Sequence, residues 1–502
     1  MSSMRDQPII VGIGQITDRS GLLEHAQHPL QMAQTAALSC VEDLGNPQIL
    51  RHIQAVSVVN MFSWRYRDPA GLLSEMLHIN PAIKEYTNVG GNTPQWLVNR
   101  AADRIAAQEI EAALVAGAEA LQTTQRFGKE IEKLGWPALE NPAVEMIGDS
   151  RKGSNKHEEL HNAEVPVQVY PLFENALRAE RGLSIEAHRQ FLGNLWAGFS
   201  KTAAGNPYAW FRDPVDSKAI REVSEKNRMV GFPYTKLMNP ILSVNQSAAL
   251  ILTSTRLARK LSIPKEKWIY IHGCADAIDK WYVSERISYA YSPAIHAVGK
   301  ESMRMAGIGL EEIDFFDLYS CFPSAALIGA KSIGLDINHL PPLTITGGLG
   351  FFGGPGNNYT MHAIAHAVEK LRKNPEQFGY VSALGWHITK HSAGIYSGRA
   401  PEKPWIRAMP ETIQHEIDRL PSPPLNMKPR GAIRVETYMV MHARKGNPEY
   451  AIVVGRLENG NRCLGLVQGD QAVLNSMETE EFIGKQGTIT PGNNTPNRVT
   501  FP

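Results

Sequence analysis

The chain has 502 residues, enough for two to four domains of roughly 100–200 residues each and for a large buried core. Its 51 basic and 50 acidic residues leave a formal charge of +1 with no block of like charges, so nucleic acid is not an expected partner. Four scattered cysteines (Cys40, Cys274, Cys321, Cys463) form no C-x-x-C pair, and no apolar run reaches the length of a membrane span or a signal peptide. A cytoplasmic protein without a disulfide framework, cysteine zinc site or membrane contact is expected.

In chain order, short apolar runs bounded by Gly, Pro or Asn predict buried strands: PIIVGIGQI, AVSVVNM, AALVAGAEA, WIYIHGC, IDFFDLY, PLTITGG and GYVSALG. Helical patterns lie between them, which predicts an α/β body. Residues 122–240 interrupt this grammar and read as an excursion, a lid or binding loop. Within it, Ser184 caps a helix whose apolar stripe runs through Phe191, Leu192, Leu195, Trp196 and Phe199. After the Pro-rich 406–421 stretch the texture turns to β, with AIRVETYMVMHA, YAIVVGRLE and RCLGLVQG forming a small all-β domain over 422–502.

One phrase is written twice. VGGNTPQ leads into an Ala-rich helix and the strand AALVAGAEA, and FGGPGNNY leads into TMHAIAHAVEKL and the strand GYVSALG. The repetition predicts two related halves with their glycine loops facing one another.

Two local motifs are weaker. GLGFFG, at 348–353, has the dinucleotide spacing, but it lies late in the chain and two Phe residues fill the loop. HEELH, at 157–161, has zinc-peptidase spacing, yet its charged surroundings predict a solvated surface turn, with a metallopeptidase as the remote alternative. By contrast, DLYSCFPSAALIGA runs a strand into a helix with Pro323 near its start. That places Cys321 by a helix N-terminus, where a thiol pKa is expected to fall.

From PIIVGIGQI through DLYSCF to GGLGFFGGPG, the segments resemble the thiolase superfamily over roughly residues 7–400. The resemblance implies a two-half α/β body in layers, built of residues 1–121 with 241–258 and residues 259–405, around a CoA site that the excursion covers. Residues 406–421 become a linker. The extra domain resembles the OB-like addition of the thiolase-like proteins of type 1. The family's nucleophilic cysteine falls on Gly91, its catalytic Asn or His on Tyr319, its activating histidine on Gly354 and its second cysteine near Gly385, with His387 two residues on. All four catalytic side chains are replaced.

The implied function is that of an acyl-CoA-dependent acyltransferase, or a carbon–carbon lyase, with a relocated constellation: Cys321 as nucleophile, His387 as base and Tyr319 as proton donor or oxyanion partner. Backbone amides at Gly91, Gly354 and Gly385 and the side chains of Asn92, Asn357 and Asn358 would bind substrate. The alternative is a non-catalytic CoA or acyl-CoA binder. CoA or acyl-CoA is the expected ligand, with no resident cofactor or metal. Thiolases associate through the strands of the first half, which the added domain could obstruct, so the oligomeric state stays open: a homo-oligomer is possible but not predicted.

Overall fold

The computed structural model describes residues 6–502. The first half contributes strands β1 (Pro8–Thr17), β2 (Ile53–Val58), β3 (Ile83–Thr87) and β4 (Ala112–Ala120). The excursion adds the short β5 (Met146–Ile147), β6 (Met229–Phe232) and β7 (Tyr234–Thr235), and the chain returns to the body as β8 (Asn245–Ser254). The second half supplies β9 (Ile269–Ile278), β10 (Phe315–Asp317), β11 (Gly379–Gly385) and β12 (Lys390–Ser397). All the body strands join one 10-stranded sheet in the order β10-β11-β12-β9-β1-β8-β4-β2-β3-β5.

The internal repeat is present as topology. β1 and β4 flank β8 antiparallel and β4 runs parallel to β2; likewise β9 and β11 flank β12 antiparallel and β11 runs parallel to β10. The halves meet where β1 pairs with β9, Ile9 opposite Tyr270 and Ile10 opposite Ile269. Helices Thr93–Ala106 and Tyr359–Lys373, which follow the two glycine loops, pack on each other and on strands of both halves. Because helices cover both faces, the strands are apolar throughout rather than alternating. In β1, Ile9 and Val11 join the core under the outer helix Pro29–Leu44, while Ile10 and Ile13 join the inner one.

Glycine sets the spacing of the outer helices in both halves. A Cβ on Gly14 would collide with the Ala36 carbonyl of helix Pro29–Leu44, and one on Gly273 of β9 with the Ser302 carbonyl of helix Pro293–Ala306. Gly273→Val is therefore expected to lower stability by at least about 1–3 kcal/mol, since backbone must move. Urea unfolding checks this, and an unchanged midpoint would contradict the close approach.

PLTITGG does not form a strand. The buried Asp317 carboxylate instead accepts hydrogen bonds from the Ile345 and Thr346 N–H groups at 3.0 and 3.2 Å, and from the Thr344 and Thr346 hydroxyls at 2.9 and 3.0 Å. A side chain thus replaces the ladder partner the segment would have needed.

The excursion is a fastened subassembly rather than a free lid. Ser184 does cap helix Ile185–Ala204, accepting from the Ala187 N–H at 3.2 Å, and Trp196 stacks on Phe199 with centroids 4.7 Å apart. β5 pairs with β3, Met146 opposite Tyr86, and so covers part of the sheet edge. Hairpin β6–β7 extends the C-terminal sheet, Phe232 opposite Val440.

That C-terminal sheet comprises β13 (Gly431–His442), β14 (Pro448–Leu457), β15 (Arg462–Gln468), β16 (Gln486–Thr490) and β17 (Arg498–Thr500). The order β14-β15-β17-β16-β13, closed by β13–β14 pairing, makes a small barrel. Its seam to the excursion helix Pro166–Glu180 joins Met439 and Ile452 to the apolar cluster of Val169 and Phe173 and is crossed by polar contacts. The Thr437 hydroxyl donates to the Leu172 carbonyl at 2.6 Å and the Asn175 amide to the Tyr438 carbonyl at 2.9 Å.

Two further expectations change. The 406–421 stretch, read as a linker, contains helix Pro410–Asp418, anchored by buried Ile413 and Ile417 one turn apart. HEELH is not a solvated turn: His157, Glu158 and His161 are buried. Glu158 accepts from the Ser284 N–H at 2.6 Å, while His161 contacts the His157 carbonyl through Nδ1 at 2.7 Å and accepts from the Asn497 N–H through Nε2 at 2.9 Å. The motif is a clamp between second half and barrel, with both His161 nitrogens in use. Among the described residues, no helix is long and apolar enough to cross a membrane.

Candidate functional site

The two glycine loops do face one another. The Gly90 N–H donates to Asn357 Oδ1 at 2.9 Å, the Thr360 hydroxyl to the Gly91 carbonyl at 3.2 Å, and Asn358 Nδ2 to the Gly117 carbonyl at 2.7 Å. Asn357 also donates to the Asn60 carbonyl at 3.0 Å. Asn357 and Asn358 are thus stitched into the scaffold.

Between the loops there is little free space. A Cβ on Gly91 would overlap the Tyr319 hydroxyl and lie 2.5 Å from the Leu384 carbonyl oxygen. The phenol of Tyr319 occupies the room a residue-91 side chain would need. Tyr319 is set by its own N–H, which donates to Ser382 Oγ at 3.0 Å, and by an edge-on contact with Tyr359 at 5.6 Å. Burial, then the neighbouring Cys321, raise its pKa well above that of an ordinary phenol.

Gly385 is close-packed in the same way, whereas Gly354 has nearly ordinary contacts. A Cβ on Gly385 would lie 2.6 Å from Asn92 Oδ1 and 3.0 Å from Lys390 Cε. Gly354 donates to the Ile241 carbonyl at 2.7 Å, and a Cβ there would meet Ile241, Leu242 and Leu349 at 3.3–3.5 Å. Gly91, Tyr319, Asn92 and Gly385 are therefore brought together, while Gly354 packs against the 241–242 segment.

Cys321 and His387 form a second group around a residue the sequence reading missed, Tyr170. Cys321 lies just before helix Pro323–Ile333 and is partly exposed, with the Tyr170 hydroxyl in hydrogen-bonding contact. Burial pushes its thiol up to about 12, so the lowering expected from the helix N-terminus does not prevail. His387 sits at the tip of the β11–β12 turn between Trp386 and Ile388, both in the left-handed region with φ of 56°. Its Nε2 contacts the Glu164 carbonyl at 3.0 Å, and its ring meets the edge of Tyr170 at 6.2 Å.

Tyr170 donates to the Trp386 carbonyl at 2.8 Å and stacks on Phe322 at 4.5 Å, which ties the excursion to both predicted residues. Its helix is held by buried Glu174, which contacts His188 Nε2 at 2.7 Å and accepts from the Tyr234 hydroxyl at 2.5 Å. The only sequence signal for Tyr170 was its place beside Pro171 in an otherwise regular helix. Lys390, also missed, carried a clearer one: a lysine at the head of the buried strand KHSAGIYS.

Burial also depresses His387, His391 and His272 to about 4 and His362 to about 3. An unfolded histidine titrates near 6.5, so the unfolded chain binds more protons below that pH. Stability is expected in full above about pH 6.5 and to be lost as pH falls from 6.5 towards 4, on the order of 2–3 kcal/mol per histidine. Glu119, raised by burial to about 7, acts oppositely between about pH 4.5 and 7, as do the raised carboxyls of Glu158, Asp276 and Asp317, while His28, His157 and His366, also depressed to about 4, add to the four imidazoles. Urea unfolding at a series of pH values measures the slope; a flat profile from pH 7 to 5 would contradict neutral buried imidazoles.

A 510 Å³ cavity opens on the other side of the glycine loop, where Asn92 and Lys390 line its floor and helix Pro410–Asp418 its roof. At Tyr319, by contrast, the lined space is about 20 Å³.

Residues 412–494 match the family described as the thiolase-like protein type 1 additional C-terminal domain. Among proteins with curated descriptions, none matches the sequence. A monomeric SCP2-thiolase-like protein type 1 from Mycobacterium smegmatis is 32% identical, with 99% of each chain covered and a TM-score of 0.84. The Ltp2–ChsH2(DUF35) aldolase is 19% identical over 78% of this chain and 97% of its own, TM-score 0.59. Human mitochondrial 3-ketoacyl-CoA thiolase in complex with CoA is 17% identical over 79% of this chain and 99% of its own, TM-score 0.55. These last two likenesses carry the fold alone. Together with the paired halves, the facing glycine loops and the added barrel, the full-length match identifies the family: the chain belongs to the SCP2-thiolase-like proteins of type 1, within the thiolase superfamily.

Proposed function

We propose that this chain holds CoA or an acyl-CoA as a bound ligand and does not carry an acyl group on a cysteine. The observation behind this reading is the Tyr319 hydroxyl in the space beside Gly91, where the family resemblance puts the nucleophile. A phenol kept protonated by burial can donate a hydrogen bond to a thioester carbonyl, but it cannot accept an acyl group at neutral pH. The thiolase-like body and its facing loops support CoA as the ligand class.

Acyl transfer through Cys321, with His387 as base and Tyr319 as proton donor, is the second reading. It is favoured by the partial exposure of Cys321 and by its hydrogen bond to Tyr170, which lowers the thiol pKa. Against it, a thiol near 12 is about one part in 10⁵ thiolate at pH 7. His387, moreover, is a weak base: burial holds its imidazole at about 4, with Nε2 on the Glu164 carbonyl and Nδ1 buried without a partner.

Calorimetry with CoA and acetyl-CoA separates the readings from a third possibility. Saturable heat with both ligands, unchanged in Cys321→Ala, is expected. No heat and no thermal stabilisation with either would overturn the proposal, and turnover of acetyl-CoA abolished by Cys321→Ala would restore the transferase.

A further inference from the structure

The 510 Å³ cavity lies outside the glycine-loop junction and has its own polar floor. Lys390 is buried, its ammonium donates to the Val89 carbonyl, and among the described residues it forms no ion pair, the nearby Asp149 and Asp276 being paired with Arg151 and Arg407. The Trp281 ring lies 6.0 Å away. Beside it, Asn92 is only 8% exposed, and its Oδ1 is buried without a hydrogen-bond partner. A buried amide with no partner is uncommon unless a ligand or solvent completes it.

The remaining walls select among ligands. Trp96, Ile147, Ile278 and Pro410 give the cavity an apolar flank. Its carboxylates would repel an anion: Asp149 and Asp276 are neutralised by Arg151 and Arg407, but Glu411 and Asp418 stand on the roof helix. Lys390 at the floor would in turn repel a cation. An uncharged molecule whose carbonyl accepts from Lys390 fits the charge constraints, and the unpartnered Asn92 Oδ1, itself an acceptor, calls for a hydroxyl or N–H donor on the same molecule.

We propose that this cavity is a site for a small uncharged aldehyde or ketone with an apolar body, its carbonyl seated on Lys390, with which the amine condenses. The lysine nitrogen lone pair forms a bond to the carbonyl carbon, and the carbonyl oxygen takes up the proton the nitrogen gives up. The resulting carbinolamine loses water to leave a C=N bond. No oxidant or reductant is needed. Burial first, then the charge of Arg151, lowers the Lys390 pKa to about 8 against the pull of Asp149, which leaves a useful fraction of free amine near neutrality. This inference is independent of CoA binding.

The test is reductive trapping on the native protein with butanal and cyanoborohydride at pH 7.5, followed by peptide mass mapping over time. Lys390 is expected to be alkylated at least about tenfold faster than Lys133 and Lys152, whose side chains are 74% and 78% exposed, because burial frees its amine and the cavity holds the aldehyde against it. Lys390→Arg should remove that fast phase and leave the slow ones. Modification of Lys390 no faster than that of the two surface lysines, or only after unfolding in urea, would overturn the proposal.

Discussion

Replacing Arg462 by alanine is expected to destabilise the protein by about 2–4 kcal/mol, the cost of leaving the buried Ser284 and Arg286 carbonyls without this donor while Glu436 keeps Arg456 as a partner. The side chain is fully buried at the foot of the barrel. It pairs with Glu436 at 2.6 Å and donates to the Ser284 and Arg286 carbonyls at 3.0 and 2.5 Å, joining β15 to the second half. Arg286 in turn donates to the His387 carbonyl and the Thr389 hydroxyl, each at 2.8 Å, so it holds the turn that carries His387. The loss should therefore appear in urea unfolding as a lower midpoint and in near-ultraviolet circular dichroism as a changed Trp386 environment. Arg462→Lys, lacking the guanidinium fork, should recover little. A stability within about 0.5 kcal/mol of native would mean that the barrel is not anchored through this residue.

Restoring a cysteine at the family's nucleophile position is expected to harm rather than help. Gly91→Cys puts a Cβ in overlap with the Tyr319 hydroxyl and 2.5 Å from the Leu384 carbonyl, for a cost of about 1–3 kcal/mol and no acyl transfer. Tyr319→Ala removes one of the two clashes. In that background the cost of Gly91→Cys should shrink by at least about 1 kcal/mol, the non-additivity expected of residues in contact. Additive costs, or a Gly91→Cys protein as stable as native, would show that Tyr319 does not fill this space.

Much of the architecture was legible because it is local. Each strand and helix of the body carries its own apolar run or stripe, and the doubled Gly-Gly phrase marked the two halves. What escaped depended on partners far away in sequence. PLTITGG had strand composition, yet Asp317 supplies the hydrogen bonds a neighbouring strand would have given. HEELH looked solvated because its covers, Ser284 and Asn497, lie more than 100 residues downstream.

For the site, position was more readable than chemistry. Gly91, Asn92, Tyr319 and Gly385 lie together in the structure. The state of Cys321 depended on whether burial or the helix N-terminus prevails, and that balance follows from Tyr170 and Phe322 packing over the junction. The excursion was recognisable as an interruption, but its attachment rests on pairing between strands 200 residues apart, Phe232 with Val440.

The most direct test of ligand binding without a cysteine acyl-enzyme is equilibrium dialysis of the native protein against radiolabelled acetyl-CoA, followed by acid denaturation of the protein compartment. The structure predicts label concentrated with native protein and released completely on denaturation. Label that stays with denatured protein and is discharged by hydroxylamine would reveal an acyl-thioester and contradict the account, as would label that never concentrates with the protein at all.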